Sequence, residues 1–135
     1  MQKSKTVNMN TDISRLLHGI DKGELFFKDV LAFIEANYTY IPVEFYNGEL
    51  VNPAGTNEGS AKIFSLAKLH NLSQLDTLKL FAEHYQAVLA DPKGDNHTNI
   101  RNFIHYGWLA FAMPVNALTL RLFLLRLPKF CLKNC

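Results

Sequence analysis

Cysteine is almost missing from this chain: Cys131 and Cys135 are the only two, and both lie at its end. Two cysteines four residues apart cannot join distant parts of a fold, so a disulfide framework is excluded and a reducing, cytoplasmic compartment is the expectation. Residues 1–14 also lack the apolar run of a secretory signal peptide. The sequence therefore predicts a fold that depends on its hydrophobic core.

Acidic residues are missing from the last part of the chain. All twelve Asp and Glu lie within residues 1–95, whereas residues 96–135 contain five Lys or Arg. The net charge of +2 therefore comes from a basic tail and not from a basic face of the folded domain. We accordingly do not expect nucleic acid as a partner.

The chain also lacks the short motifs that carry well-known chemistries. The glycines that precede Lys62 do not have the spacing of a Walker loop or of a dinucleotide fingerprint, and neither Ser60 nor Ser65 lies in the glycine-serine-glycine elbow of hydrolases. No two histidines are four residues apart, so neither a metal nor a cofactor is expected. Four of the five histidines, His18, His70, His84 and His105, are scattered along the chain and suggest no metal site.

Apolar residues are plentiful, at 48% of 135 residues, which suits one domain with a real core. Residues 1–12 are polar and predict a flexible N-terminal segment. Helical spacing of apolar residues predicts four or five helices, of which the helix at residues 24–37 has the widest apolar stripe and is the expected central core helix. The other predicted helices span residues 13–20, 63–69 and 73–90, the last capped by Ser73, and a region that starts at Asn96 or Thr98 and stops at Gly107.

One hairpin interrupts the helices. Asn47-Gly48 separates two short apolar runs at residues 43–46 and 49–51, and this dipeptide is typical of a two-residue hairpin turn. A hairpin this small is stable only if it packs on the helices. The predicted fold is therefore an α+β domain that is mostly helical, with a loop after the hairpin that ends at Ser60 as a helix N-cap.

Two polar segments are candidates for a shared cleft. The second of them starts the last helix, where His97 could exchange a proton near neutral pH and Arg101 could bind a carboxylate or phosphate, with Glu58 from the loop as a possible third catalytic residue. The alternative is that these residue types cap helices and pair locally, Arg101 with Asp95. The candidate ligand-binding residues are the Asn47-Gly48 turn, Asn52, Gly55, Asn57, Gly59, Ser60, Lys62 and Asn99.

Three runs of the chain are distinctive together: residues 45–69 with the Gly59-Ser60-Ala61-Lys62-Ile63-Phe64 stretch, residues 95–103 reading Asp-Asn-His-Thr-Asn-Ile-Arg-Asn-Phe, and Gly107-Trp108. They resemble the HopJ type III effector family of small bacterial proteins over about residues 25–108. The resemblance implies no established reaction, and it implies possible delivery through a type III system. We expect a protein that binds a partner protein or a small anionic ligand through the polar loop, with a hydrolase that uses His97 and Arg101 as the competing hypothesis.

The tail at residues 109–135 is a separate problem. Residues 108–127 are apolar over about the length of a membrane span, but Pro114, Asn116 and Arg121 interrupt them, so a tail anchor is a disfavoured alternative. We expect the tail to pack on the domain or on a second copy of the chain, which would give a homodimer.

The tail also departs from the family pattern directly after Trp108 and matches it again at Ala117-Leu118. One freely chosen set of codons for residues 109–116, read one frame over, yields Gly-Ile-Arg-Tyr-Ala-Gly-Glu. We hypothesise that these residues reflect paired frame errors or a lineage-specific frameshift. Sequencing the coding DNA tests this, because an intact frame with other codons in that window would refute it.

Overall fold

In a computed structural model, which describes residues 9–121, six α-helices and two small antiparallel sheets make up the fold. The predicted α+β, mostly helical class is confirmed. The expectations for residues 1–8 and 122–135, including both cysteines, lie outside the described residues. The helices are α1 (Met9–Asp21), α2 (Phe27–Asn37), α3 (Glu58–Leu69), α4 (Gln74–Lys79), α5 (Glu83–Ala90) and α6 (Thr98–Tyr106), and the strands are β1 (Tyr38–Tyr40), β2 (Phe45–Asn47), β3 (Leu50–Asn52), β4 (Phe111–Ala112) and β5 (Leu118–Leu120).

The first two helices follow the predicted apolar pattern with shifted starts. Helix α1 begins at Met9, so residues 9–12 of the predicted flexible segment are helical, and it buries Ile13 and Leu16. Helix α2 begins three residues later than predicted because the Asp29 carboxylate accepts a hydrogen bond from the Phe26 N–H at 2.8 Å. That bond satisfies a donor ahead of the first turn and fixes where the helix starts.

The central helix is α3, and the prediction that residues 24–37 form the core helix is wrong. Helix α2 buries only Val30 and Ile34, whereas six residues of α3 are buried. Phe64 lies at the centre of the core, with ring centroids 4.8 to 6.3 Å from those of five other aromatic residues. Those residues are Phe45, Phe81, Phe103, Trp108 and Phe111.

The predicted hairpin is present as β2 and β3, one residue further along the chain than expected. Asn47 pairs with Leu50, so Asn47 is a strand residue and Gly48 begins the turn. A third strand, β4, pairs with the other side of β2, and β1 pairs with β5 to form a second sheet. Neither pair could be predicted, because each strand has only two or three residues and its partner lies more than sixty positions away along the chain.

The single helix predicted at residues 73–90 is wrong, because the structure contains two helices there. Ser73 caps α4 as predicted, with its Oγ accepting from the Asp76 N–H at 3.1 Å. The chain then breaks at Ala82, whose φ is +53°. Leu80 and Phe81, in the turn between the two helices, are both buried. Leu75 on α4 and Leu89 on α5 are exposed.

Residues 109–121 of the predicted tail pack against the rest of the domain. Phe111, Met113, Ala117 and Leu118 are all buried in the core. Arg121 donates hydrogen bonds to the main-chain oxygens of Glu35 and Tyr38. Of the helices in residues 9–121, none has both the length and the apolar character that crossing a bilayer requires.

Candidate functional site

An open cleft of about 510 Å³ lies where the polar loop meets the start of α6. The loop and the His97 segment, which the sequence analysis proposed as two sides of one site, therefore do line a common cleft. Its lining combines polar groups with aromatic and aliphatic side chains. The lining residues are Phe27, Leu50, Asn57, Gly59, Ser60, Phe81, His84, His97, Thr98, Asn99 and Ile100.

Helices α3 and α6 both start at this cleft with a left-handed N-cap residue. Asn57 has φ 49° and ψ 47°, His97 has φ 53° and ψ 49°, and neither side chain accepts a hydrogen bond from the first turn. The predicted N-caps, Ser60 for α3 and Asn96 or Thr98 for α6, are therefore wrong. Because no side chain caps them, the first N–H groups of both helices remain donors for water or a ligand at the partially positive end of each helix.

Three buried asparagines attach the hairpin to α6 beneath the cleft. Asn47 donates through Nδ2 to the Oδ1 and the main-chain oxygen of Asn99, at 2.9 and 2.8 Å. Asn99 in turn donates to Asn52 Oδ1 at 2.9 Å, and Asn52 donates back to Asn99 Oδ1 at 3.3 Å. We call Asn47, Asn52 and Asn99 the amide cluster. Since all three are buried, these bonds fix the position of the first turn of α6 relative to β2 and β3.

Two further asparagines, Asn57 and Asn102, donate hydrogen bonds to residues of the amide cluster. Asn57, the N-cap of α3, donates to Asn52 Oδ1 at 2.6 Å, and Asn102 donates to the main-chain oxygen of Asn47 at 2.9 Å. Within residues 9–121, the Oδ1 of Asn47 is a buried side-chain oxygen without a hydrogen-bond partner. The cluster therefore links the starts of both helices that meet at the cleft.

A pair of histidines forms one side of the cleft. The ring of His84, at the start of α5, lies 5.1 Å from the ring of His97 between centroids, with their planes 38° apart. The edge-on ring of Phe27 packs on His84 at 4.8 Å. Among the described residues, the lining contains no Asp, Glu, Lys or Arg. His84 was not predicted as a site residue, because the break at Ala82 that puts it at the start of α5 was not predicted either.

Arg101 and Glu58, the other two catalytic candidates, are not among the residues that line the cleft. Arg101 donates to the main-chain oxygens of Asn96 and Asp91 and to Asn96 Oδ1, at 2.5 to 2.8 Å, and so ties the preceding loop to α6. Glu58 Oε2 accepts a bond from the Tyr40 hydroxyl at 2.9 Å. Burial, and then this bond, raises the pKa of Tyr40 to about 12. Of the three candidates, only His97 lines the cleft.

The candidate ligand-binding residues divide in the same way. Asn57, Gly59, Ser60 and Asn99 line the cleft. The rest do not: Asn52 is buried in the amide cluster, Gly48 packs beneath Tyr106, Gly55 lies in an exposed turn and the Lys62 ammonium lies 4.8 Å from the centre of the Tyr40 ring.

The side chains in residues 9–121 include no group of three or more His, Cys, Asp or Glu arranged to hold a metal ion.

Comparison with known proteins gives the family. A family model described as HopJ type III effector protein matches residues 13–118. The crystal structure of VPA0580, a protein of unknown function, is 35% identical, with a TM-score of 0.74, and the match covers 80% of this chain and 92% of that one. None of the curated proteins matches the chain significantly. The family match includes the hairpin, the amide cluster and the whole lining of the cleft, so the chain belongs to the HopJ type III effector family.

Proposed function

We propose that this HopJ-family protein binds a small anionic ligand, or an anionic group of a partner protein, in the cleft between the starts of α3 and α6. The observation that carries the proposal is the meeting of two uncapped helix starts in one cleft. Each helix start offers N–H donors and a partial positive charge, and both favour an anion.

The composition of the lining supports the same choice. Asn57, Ser60, Thr98 and Asn99 supply neutral polar groups, and the described lining contains no carboxylate that would repel an anion. A cleft of about 510 Å³ is within the range of roughly 300–1,000 Å³ that is usual for small-ligand sites. Binding is favoured over the hydrolase hypothesis because Arg101 and Glu58 bond to other groups and only His97 of that trio faces the cleft.

The substitution Ser60→Asp tests the proposal without harming the fold. Ser60 is the third residue of α3, where a carboxylate interacts favourably with the helix start, so the variant should be at least as stable as the wild type. The same carboxylate would occupy the N–H donors and repel an anion. We expect the wild type to bind inorganic phosphate or sulfate in calorimetric titrations and Ser60→Asp to lose that binding.

The matched control is Ser14→Asp, which adds the same charge to an exposed position on α1, a helix that contributes no residue to the lining. This variant should bind the anions as the wild type does. Equal binding by Ser60→Asp and Ser14→Asp, or no binding by the wild type, would contradict the proposal.

A further inference from the structure

We infer that His84 and His97 bind a phosphate monoester with a flat apolar group, and that the cleft takes up a proton when this ligand binds. The inference rests on the proposed function and adds His84, the ligand class and its proton linkage. It is carried by the histidine pair and by the apolar side chains that line the cleft beside it.

The histidine pair provides the first step. The two imidazole rings lie 5.1 Å apart between centroids, so one bound group can reach both. A ligand with two negative charges favours the protonated form of each ring, because an imidazolium can donate a charge-assisted hydrogen bond to it. A phosphate monoester carries close to two negative charges near neutral pH. Binding at or above neutral pH should therefore draw a proton from solution.

Other charged groups around the pair do not supply that counter-charge. Next to His84 on α5, the Glu83 carboxylate accepts the Phe27 N–H at 2.8 Å. On α2, Asp29 accepts the Phe26 N–H, and Lys28 and Glu35 are exposed. On α3 and α6, Glu58 bonds to Tyr40, Lys62 and Lys68 lie over the Tyr40 and Trp108 rings, and Arg101 bonds to Asp91 and Asn96. The carboxylates of the neighbouring loops, Glu49, Asp91 and Asp95, belong to exposed residues that do not line the cleft. A bound dianion is then the group that can pair with both imidazoles.

The wall of the cleft selects the rest of the ligand. Phe27 and Phe81 lie stacked, 6.2 Å apart and 8° from parallel, and both line the cleft. Phe81 is buried, as is Ile100, so the half-buried Phe27 and Leu50 supply most of the apolar surface that faces the cleft. A free phosphate would leave this apolar surface in water, whereas a flat ring attached to the phosphate would cover it. The ligand class that fits both features is an aryl or heterocyclic phosphate monoester.

Calorimetry with phenyl phosphate, inorganic phosphate and phenol tests the ligand class. We expect phenyl phosphate to bind at least about tenfold more tightly than inorganic phosphate, because it covers the wall, and phenol alone to show no binding. Equal affinity for the two phosphates would overturn the assignment of the wall. Binding that disappears on adding EDTA would overturn the histidine–phosphate contact in favour of a metal.

Titrations of phenyl phosphate at pH 7.5 in two buffers of different ionisation enthalpy test the proton linkage. The wild type should take up a fraction of a proton that His84→Gln and His97→Asn each reduce, with about a tenfold loss of affinity. Asparagine is used at residue 97 because it tolerates the left-handed backbone there. The control is His18→Gln, an exposed residue of α1, which should behave as the wild type.

A permanent positive charge at residue 84 distinguishes binding through a protonated histidine from a merely structural role of His84. His84→Lys keeps a cation at every pH from 6 to 8.5, so it should bind phenyl phosphate at pH 8.5 better than the wild type does and take up less proton. If the wild type binds phosphates without proton uptake and His84→Lys gains nothing at pH 8.5, the inference is wrong although the proposed function stands. If neither phosphate binds at any pH, the proposed function itself has failed.

Discussion

Strand β2 places two fully buried side chains on one face, and they belong to different kinds of core. Phe45 packs with the aromatic rings around Phe64, and Asn47, two residues later, belongs to the amide cluster with Asn52 and Asn99. Ring packing is summed over many weak contacts and depends little on any single one. Each bond of the amide cluster has a specific donor and acceptor. The comparison suggests that the rings supply most of the stability and that the amides position the cleft.

The largest effect should come from the centre of the aromatic rings. Phe64→Ala removes a fully buried ring that five others contact, so we expect a loss of about 3–5 kcal/mol in the free energy of unfolding, measured with urea. The control is Leu75→Ala, at an exposed position of α4, which should cost less than about 0.5 kcal/mol. A loss at Phe64 no larger than that of Leu75→Ala would break the comparison.

The next effect should come from the amide cluster. Asn99→Ala leaves the Asn47 and Asn52 amide groups with missing partners, and we expect a loss of about 2–3 kcal/mol, since each unpaired buried polar group costs about 1–3 kcal/mol. Asn102→Ala, which removes one bond to the Asn47 main-chain oxygen, should cost about 1 kcal/mol. If both variants lost the same stability, the cluster would have no special role.

Gly48, in the hairpin turn, and Gly55, in the loop that follows β3, test how tightly the hairpin packs on α6. Gly48 and Gly55 both have positive φ, of 63° and 88°. A Cβ at Gly48 would lie 2.5 Å from Tyr106 Cδ2, whereas nothing lies within 4 Å of one at Gly55. Gly55→Ala should therefore cost about 1 kcal/mol from the backbone alone, and Gly48→Ala about 2 kcal/mol. Equal losses would show that the ring of Tyr106 moves aside freely.

The smallest effect should appear in the pH dependence of stability, since the amide cluster and the phenylalanine rings contain no titratable groups. The Tyr38 hydroxyl lies 2.6 Å from His70 Nε2, and burial lowers the pKa of His70 below its ordinary value. The unfolded chain then binds a proton more readily than the folded one. This contribution to stability is complete above about pH 6.5 and is lost as the pH falls through the lowered pKa.

The same contact has an alkaline counterpart. Burial, with a smaller effect from Asp12, raises the pKa of Tyr38 to about 12. Stability should therefore fall as the pH rises above about 10, where an unfolded tyrosine ionises.

Urea unfolding between pH 5 and 8 tests the contribution of His70. The free energy of unfolding of the wild type should fall with the pH over this range, and that of His70→Gln should change less. An unchanged slope in that variant would assign it to another group.

The sequence predicted the helix ends and the turn that depend on neighbouring residues. Ser73 caps α4, Gly107 ends α6 with φ +65°, and the Asn47-Gly48 pair lies at a hairpin. These signals depend on a residue and its near neighbours, which a sequence displays directly.

The parts of the site that the sequence did not predict depend on distant contacts. It predicted that the loop and the His97 segment would share a cleft, but not that Arg101 would bind main-chain oxygens or that His84 would lie beside His97. The left-handed caps at Asn57 and His97 were also missed, because the preferred cap residues nearby, Ser60, Asn96 and Thr98, were predicted instead. Each of these features is fixed by tertiary packing.

A titration of the ¹⁵N-labelled protein with inorganic phosphate, followed by the amide resonances, tests the central claim most directly. If two helix starts bind one anion, the amides of Gly59, Ser60, Asn99 and Ile100 should shift together along one saturable curve. The amides of α4, which contribute nothing to the lining, should stay in place. Shifts confined to one of the two helix starts, or spread evenly over the protein, would contradict the account.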